Sequence, residues 1–162
     1  MLVLTDVGTK MFWEFPLKTR GGDEVMGWIC HWVEYILATY AGNHQLLHYH
    51  ADGGPELIDH KLKTYLLKTL GTSVNWSSTD TPELNAISER KFRTLGEMTL
   101  AMLVDSGLPK FFWWDAYVAA CEITRKMPTK TCRGWMSPME CVSGGKTPNL
   151  SRLRRWGARR IC

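Results

Sequence analysis

The stretch TPELNAISERKFRTLGEM occupies residues 81–98 and joins a polar, turn-forming opening to a charged segment with helical spacing. Together with SSTD before it, the opening predicts an exposed loop over residues 77–86. From residue 87 the apolar positions recur at helical spacing, and Gly and Pro follow residue 105, which predicts a long helix over residues 87–105. Glu89 then lies in the first turn of this helix, where an acidic side chain commonly interacts with the helix dipole.

Outward from this stretch, the remaining segments alternate between two kinds of pattern. Helical spacing of apolar residues predicts helices over residues 23–40, 59–70 and 111–126. Short apolar runs predict strands over residues 2–5, 12–17, 45–49 and 74–76. Elements in this order are typical of a mixed α/β domain.

Length and composition favour one globular domain. The 162 residues are 44 % hydrophobic and 22 % charged, which excludes a disordered tail, a collagen-like repeat and a multi-domain enzyme. No apolar run approaches about 18 residues and the start lacks a signal-peptide pattern, so we expect an intracellular protein without a membrane partner. The five cysteines form no C-x-x-C pair, which favours reduced thiols.

Charge is distributed unevenly along the chain. Residues 1–89 contain 6 Lys/Arg and 11 Asp/Glu, a net charge of −5, whereas residues 90–162 contain 14 and 5, a net charge of +9. A basic half indicates a polyanionic partner such as nucleic acid, and an acidic half indicates cations or solvation. Charge alone does not decide between these interpretations.

The segment ADGGPE at residues 51–56 contains a second carboxylate of interest. Asp52 follows a predicted strand and precedes two glycines, so it either initiates a turn or points into a cleft at the carboxyl end of the strand. Glu89 follows Asp52 by 37 positions.

These residues resemble the integrase catalytic core of copia-type LTR retrotransposons. The second catalytic strand of the family typically reads D-N-G-G-E, and Asp52, Gly53, Gly54, Pro55 and Glu56 stand at its positions. The third block typically reads T-P-x-x-N-G-x-x-E-R-x-x-R-T-L, which is matched by Thr81, Pro82, Asn85, Ala86, Glu89, Arg90, Arg93, Thr94 and Leu95. The family's spacing of roughly three dozen residues between Asp and Glu is also kept.

The resemblance covers nearly the whole chain. LPKFFWWDAYVAACEITRKMPTK at residues 108–130 is similar to the family's L-P-x-x-F-W-x-E-A helix, and TPNLSRLRRWG at residues 147–157 is similar to its T-P-x-L-x-x-L-R-x-F-G segment. It implies an RNase H-like mixed sheet flanked by helices, here lacking the first core strand. We expect the catalytic core over residues 1–126 and a basic C-terminal extension over residues 127–162.

The resemblance also implies a function, DNA integration, and a site for it. Asp52 and Glu89 would be two of the three catalytic carboxylates that hold two Mg²⁺ ions, for which hard oxygen ligands are suited. Asn85 would contact DNA near them, and the phosphate-facing residues would be Arg90, Lys91, Arg93, Arg152, Arg154 and Arg155, followed by Arg159 and Arg160. DNA is the expected partner, a homo-oligomer is possible as in the family, and the location is nuclear if the protein is functional.

The sequence also differs from the family's pattern. The family's first catalytic Asp lies upstream of the segment at which this chain opens, and Asp6 matches a hairpin-turn Asp instead. We therefore expect little strand transfer or nicking from these 162 residues. The alternative is a non-catalytic nucleic-acid-binding remnant or a degraded transposon fragment.

Two other clusters have simpler interpretations. His44, His48 and His50 match no structural zinc spacing, so we interpret them as surface or core residues. The aromatic segment at residues 111–114 could stack on bases, but its helical spacing with residues 116–123 favours core packing.

Overall fold

The computed structural model describes residues 1–19, 21–39, 48–51, 60–76, 82–151 and 153–158. The strands are β1 (Leu2–Thr5), β2 (Phe12–Phe15), β3 (His48–Ala51), β4 (Ser73–Trp76), β5 (Thr129–Thr131) and β6 (Gly134–Met136). The helices are α1 (Gly22–Thr39), α2 (His60–Leu70), α3 (Pro82–Ser106), α4 (Trp113–Lys126) and α5 (Pro138–Val142), and a 3₁₀ helix over Lys110–Phe112 precedes α4. The described strands pair two by two, as β1 with β2, β3 with β4 and β5 with β6.

The chain divides into two compact units. The first contains Met1–Leu2 and Phe15–Ala86, and the second contains Val3–Glu14 and Ile87–Cys162. These units are groups of packed residues rather than sequence segments. The division into a core over residues 1–126 and an extension over residues 127–162 stays a prediction.

The first unit contains α1, the parallel strands β3 and β4, and α2. The buried face of α1 is formed at helical spacing by Val25, Ile29, Trp32 and Val33. β3 pairs with β4 in parallel, with Ala51 opposite Trp76. Two parallel strands need a crossover connection, and α2 lies within this one. Gly71 follows α2 with a φ of +63°, a conformation in which a side chain would be strained.

The second unit has a core shared by β2, α3 and α4. It consists of side chains at most 1 % exposed, namely Phe12, Leu95, Tyr117, Ala120 and Cys121. Burial is the main cause that raises the pKa of the Cys121 thiol to about 12, and the nearby Glu14 carboxylate adds to it. Cys121 is therefore a packing residue that stays protonated.

Sequence reasoning missed the elements that follow α4. β5 and β6 form an antiparallel pair with Thr129 opposite Met136, and Gly134, the first residue of β6, has a φ of +105°. α5 begins after Ser137, whose hydroxyl accepts a hydrogen bond of 3.1 Å from the Glu140 N–H. Three-residue strands are too short to show an alternating pattern.

The start of α3 differs from the expectation. Residues 82–86 are helical, so the prediction of a loop through residue 86 is wrong for them, while residues 77–81 lie outside the described residues. Proline is favourable at the first helical position because its φ is preset and its missing N–H would have no intrahelical partner there. With α3 beginning at Pro82, Glu89 lies in the second turn rather than the first.

The expectation of core packing for residues 111–114 is wrong for two of the four aromatic residues. Phe111 is 84 % exposed and Trp113 is 44 % exposed. The 3₁₀ helix over Lys110–Phe112 turns the chain by more degrees per residue than an α-helix, so α-helical spacing does not apply to Phe111. Trp114 is half-buried against the core of the second unit, as predicted.

Candidate metal and nucleic-acid site

The strand that precedes Asp52 is present. β3 ends at Ala51, which is 6 % exposed, and its neighbour Tyr49 is 7 % exposed, so the strand is fixed by burial and by the β4 ladder. Asp52 is the next residue in the chain and lies outside the described residues. Its predicted roles as a catalytic carboxylate and metal ligand stay predictions.

Glu89 lies on the exposed face of α3. The opposite face of this helix carries Leu95 and Thr99, both fully buried, which fixes the rotation of the helix about its axis. The side chains of Glu89 and Arg93 lie one turn apart on the solvent side. Among the residues that the structure describes, Glu89 has no ion-pair partner.

The placement of Glu89 weakens a purely structural explanation for it. Interaction with a helix dipole falls off within the first turn, and Glu89 is the eighth residue of α3. A solvent-exposed carboxylate that no described cation neutralises is suited to bind a hard divalent cation. Glu89 therefore fits the ligand role chemically.

The other α3 residues differ in their surroundings. Arg90 and Arg93 are exposed, and Asn85 lies in the first turn of α3 at a position whose side chain is outside the description. Lys91 is half-buried, with its Nζ 4.6 Å from the centre of the Phe12 ring. Desolvation at this position lowers the pKa of the Lys91 ammonium. Its contact with DNA stays a prediction, as do those of Arg90, Arg93 and Asn85.

A buried ion pair lies beside Lys91. Arg125 on α4 donates two hydrogen bonds to the Glu14 carboxylate at 2.7 and 3.1 Å, and a weaker one to the Phe12 carbonyl at 3.4 Å. Its guanidinium also lies 5.5 Å from the centre of the Phe12 ring. The pair attaches β2 to α4, and sequence reasoning missed it because no local pattern links two residues so far apart in the chain.

Two of the C-terminal arginines form hydrogen bonds, and the other three lie outside the described residues. Arg155 donates hydrogen bonds of 2.7 to 2.9 Å to both carboxylate oxygens of Asp105 at the end of α3. The guanidinium of Arg154 donates to the carbonyls of Ser151 and Leu153. Arg152, Arg159 and Arg160 lie outside the described residues, and the DNA contacts expected of all five stay predictions.

No complete metal centre occurs in the described part of the chain. Within residues 1–19, 21–39, 48–51, 60–76, 82–151 and 153–158, no three His, Cys, Asp or Glu side chains come together closely enough to hold a metal ion. His48 is exposed and His50 is half-buried on β3, while His44 lies outside these ranges. Glu89 is thus the one predicted metal ligand whose side chain the structure describes.

Curated proteins resemble this chain over almost its whole length. The chain is 29 % identical over 157 residues, or 96 % of its length, to the retrovirus-related Pol polyprotein from transposon RE2 of Arabidopsis thaliana. It has the same identity and coverage with the corresponding polyprotein from transposon RE1 of that plant. Homologues of this chain are retrovirus-related Pol polyproteins from copia-type transposons. The chain spans 10 % of the length of each of these two relatives.

Solved structures show which part of such a polyprotein the fold corresponds to. The catalytic core domain of BIV integrase matches 88 % of this chain and 84 % of its own, with a TM-score of 0.63 and 19 % identity. The HTLV-2 integrase catalytic core, solved with magnesium in a trimeric form, matches 86 % of this chain and 81 % of its own, with a TM-score of 0.60 and 14 % identity. The fold is that of a retroviral integrase catalytic core, an RNase H-like α/β fold, as the sequence predicts.

A third structure extends the match to almost the whole chain. A chain of the simian T-cell lymphotropic virus intasome, solved with the PP2A regulatory subunit B56 gamma, aligns with 98 % of this chain and is itself covered to 53 %, with a TM-score of 0.66 and 14 % identity. No model of a known protein family matches the chain. Among the described residues, no helix has the length and apolar character needed to cross a bilayer.

Proposed function

We propose that this chain is the catalytic-core segment of a retroelement integrase and acts in DNA integration. The observation that carries the proposal is the integrase-core fold together with a buried strand that ends immediately before Asp52 and an exposed Glu89 on α3, which has no ion-pair partner among the described residues. Homology to Pol polyproteins over 96 % of the chain supports it. An intracellular, nuclear location belongs to the same proposal, because the target of integration is chromosomal DNA.

In this proposal, Asp52 and Glu89 hold a divalent metal ion, with Mg²⁺ preferred. Metal ions held by such carboxylates would supply Lewis acidity for the attacking and leaving oxygens of a DNA phosphodiester. Because Glu89 is exposed, its oxygens are accessible to an incoming DNA end.

The positive side chains of α3 would bind the DNA backbone. Arg93 is exposed one helical turn after Glu89 and can contact a phosphate near the reacting one. Phosphate contacts hold DNA without reading its sequence, which suits insertion at many sites. DNA is accordingly the proposed partner, and a homo-oligomer is proposed by analogy with the trimeric HTLV-2 core.

The test is metal-dependent binding of a short duplex that carries a retroelement end. We expect Mn²⁺ or Mg²⁺ to strengthen binding by about tenfold, because the bound cation neutralises phosphate charge beside the carboxylates. Glu89→Gln and Asp52→Asn should each remove the metal effect and leave binding in EDTA unchanged. The matched control is Glu97→Gln, an exposed carboxylate two turns further along the same helix, which should behave as the wild type.

An equal loss in all three variants, or no metal effect in the wild type, would contradict the proposed site. The same preparations test strand transfer. The expectation that these 162 residues alone give little DNA joining stays a prediction, and joining that depends on Asp52 would show it to be wrong.

A further inference from the structure

The hairpin formed by β5 and β6 carries an exposed tryptophan. Trp135 is 76 % exposed, although tryptophan side chains are largely buried on average in folded proteins. Lys130 lies directly opposite Trp135 on β5 and is also exposed. Directly opposed residues of an antiparallel pair have Cβ atoms about 4.5–5.5 Å apart on the same face of the sheet. The indole ring and the ammonium group therefore share the outer face of the hairpin.

Hydrogen bonds attach the hairpin to the rest of the second unit and fix its turn. The N–H of Cys132, in the turn between β5 and β6, donates a hydrogen bond of 2.9 Å to the carbonyl of Gly8, in the turn between β1 and β2. The hydroxyl of Thr131 is buried, donates to the Gly134 carbonyl at 2.9 Å and accepts from the Arg133 N–H at 3.2 Å. The outer face of the hairpin therefore belongs to an anchored element.

The charges that border the indole ring are positive. Arg133 is exposed in the turn, and neither it nor Lys130 forms an ion pair among the residues that the structure describes. The hairpin itself contains no carboxylate. In the adjacent β1–β2 turn, the Asp6 carboxylate accepts hydrogen bonds of 3.1 and 3.2 Å from the N–H groups of Gly8 and Thr9. The outer face thus complements a ligand that combines a flat apolar surface with negative charge.

We propose that the outer face of the hairpin, defined by Lys130, Arg133 and Trp135, binds single-stranded DNA. An unpaired base stacks on the Trp135 ring, and the two cations contact neighbouring phosphates. Every base has a π face, so stacking of this kind tolerates any sequence. A base that is paired and stacked inside a duplex cannot offer its face to the ring, so the hairpin selects single strands. An uncharged apolar peptide would leave both cations without a partner.

This inference rests on the proposed function in its choice of DNA as the nucleic acid. The hairpin would hold an unpaired strand of the DNA on which the integrase core acts. The contact uses neither Asp52 nor Glu89 and needs no metal ion. Binding at the hairpin and binding at the carboxylates can therefore be measured separately.

The experiment is a fluorescence anisotropy titration of a labelled oligothymidine of about 12 nucleotides with the full chain in EDTA. We expect Trp135→Ala to weaken binding by about tenfold, because an alanine cannot stack on a base. Trp135→Phe keeps an aromatic ring and should recover most of the affinity. Lys130→Gln should make the salt dependence shallower by about 0.7, the value for one phosphate contact of a single strand. The control is Phe111→Ala, which removes a ring that is 84 % exposed in the same unit and should leave binding unchanged.

A blunt duplex of the same length provides the second measurement. We expect Trp135→Ala to change duplex binding by less than about twofold, because its bases are not free to stack on the ring. Equal losses for duplex and single strand would overturn the proposal, as would single-strand binding that Trp135→Ala leaves unchanged. Tighter binding of oligouridine than of oligothymidine would overturn the choice of DNA.

Two further outcomes separate this inference from its alternatives. Self-association that Trp135→Ala abolishes in sedimentation velocity, with single-strand binding unchanged, would assign the face to contact between copies of the chain and overturn the proposal. A wild-type chain that shows the Trp135 effect but no metal effect on duplex binding would support the hairpin site and contradict the proposed carboxylate site. The reverse result would contradict the hairpin site alone.

Discussion

At the scale of single residues, an ion pair between arginine and a carboxylate contributes differently to stability when it is buried and when it is exposed. In the ion pair of Arg125 with Glu14, the side chains are 16 % and 8 % exposed. In that of Arg155 with Asp105, they are 71 % and 56 % exposed. Both are bidentate, so geometry is comparable and burial is the variable. Removing one member of a buried pair leaves an uncompensated charge with poor access to water.

We therefore expect Arg125→Met to lower the free energy of unfolding by about 3 kcal/mol, because the Glu14 carboxylate loses its partner in a buried position. Arg155→Met is the matched control within the same unit and should cost less than about 1 kcal/mol. Denaturant titration of the two variants measures both values. Equal losses would show that burial does not increase the contribution of the pair to stability. Adding Glu14→Gln to Arg125→Met should recover part of the lost free energy of unfolding.

The two pairs also show where sequence reasoning ends. The motif around Glu89 could be recognised because its residues are neighbours in the chain. Glu14 and Arg125 are 111 positions apart, and their contact depends on how β2 packs against α4. A charge pattern in one segment carries no information about a partner in another.

At the scale of elements, helix ends were easier to predict than short strands. Gly71 after α2 and Gly107 after α3 have φ values of +63° and +65°, which is the conformation expected of glycine at a helix C-terminus. Periodicity likewise predicted α1, α2 and α4 to within two residues at each described end. Periodicity failed at the start of α3, because the turn-forming residue types there predicted a loop where a helix begins with Pro82.

A pair of glycines in the first unit tests this interpretation of helix ends. Gly71→Ala should lower the free energy of unfolding by about 1 kcal/mol, because an alanine at positive φ is strained. Gly27→Ala, inside α1, should raise it by roughly 0.5 to 1 kcal/mol, because an alanine loses less backbone entropy. A Cβ at Gly27 meets no atom within 4 Å, so no clash offsets this gain. Chemical denaturation measures both, and changes of the same sign would contradict the argument.

At the scale of the whole molecule, the two packed units keep the charge asymmetry seen along the chain, although the difference between them is smaller than that between the two halves of the sequence. The first unit contains 5 Lys/Arg and 8 Asp/Glu, and the second contains 15 Lys/Arg and 8 Asp/Glu. Their net charges are −3 and +7. Sequence order alone could not assign Lys10 to the basic unit, since it lies within the acidic N-terminal half. Arg93 of α3 belongs to the basic unit and Lys61 of α2 to the acidic one.

This distribution predicts how duplex DNA binding responds to salt. Each phosphate contact releases counterions, so the logarithm of the binding constant falls linearly with the logarithm of salt concentration, with a slope of about −0.9 per contact. In EDTA, we expect Arg93→Gln to make this slope shallower by about 0.9 for a lost phosphate contact. Lys61→Gln removes the same charge from the acidic unit, and its side chain is 69 % exposed beside Asp23, so the slope should stay unchanged. Titrations by fluorescence anisotropy at several salt concentrations measure the slopes. Equal slopes in both variants would mean that net charge, rather than a DNA-binding surface on the basic unit, governs the interaction.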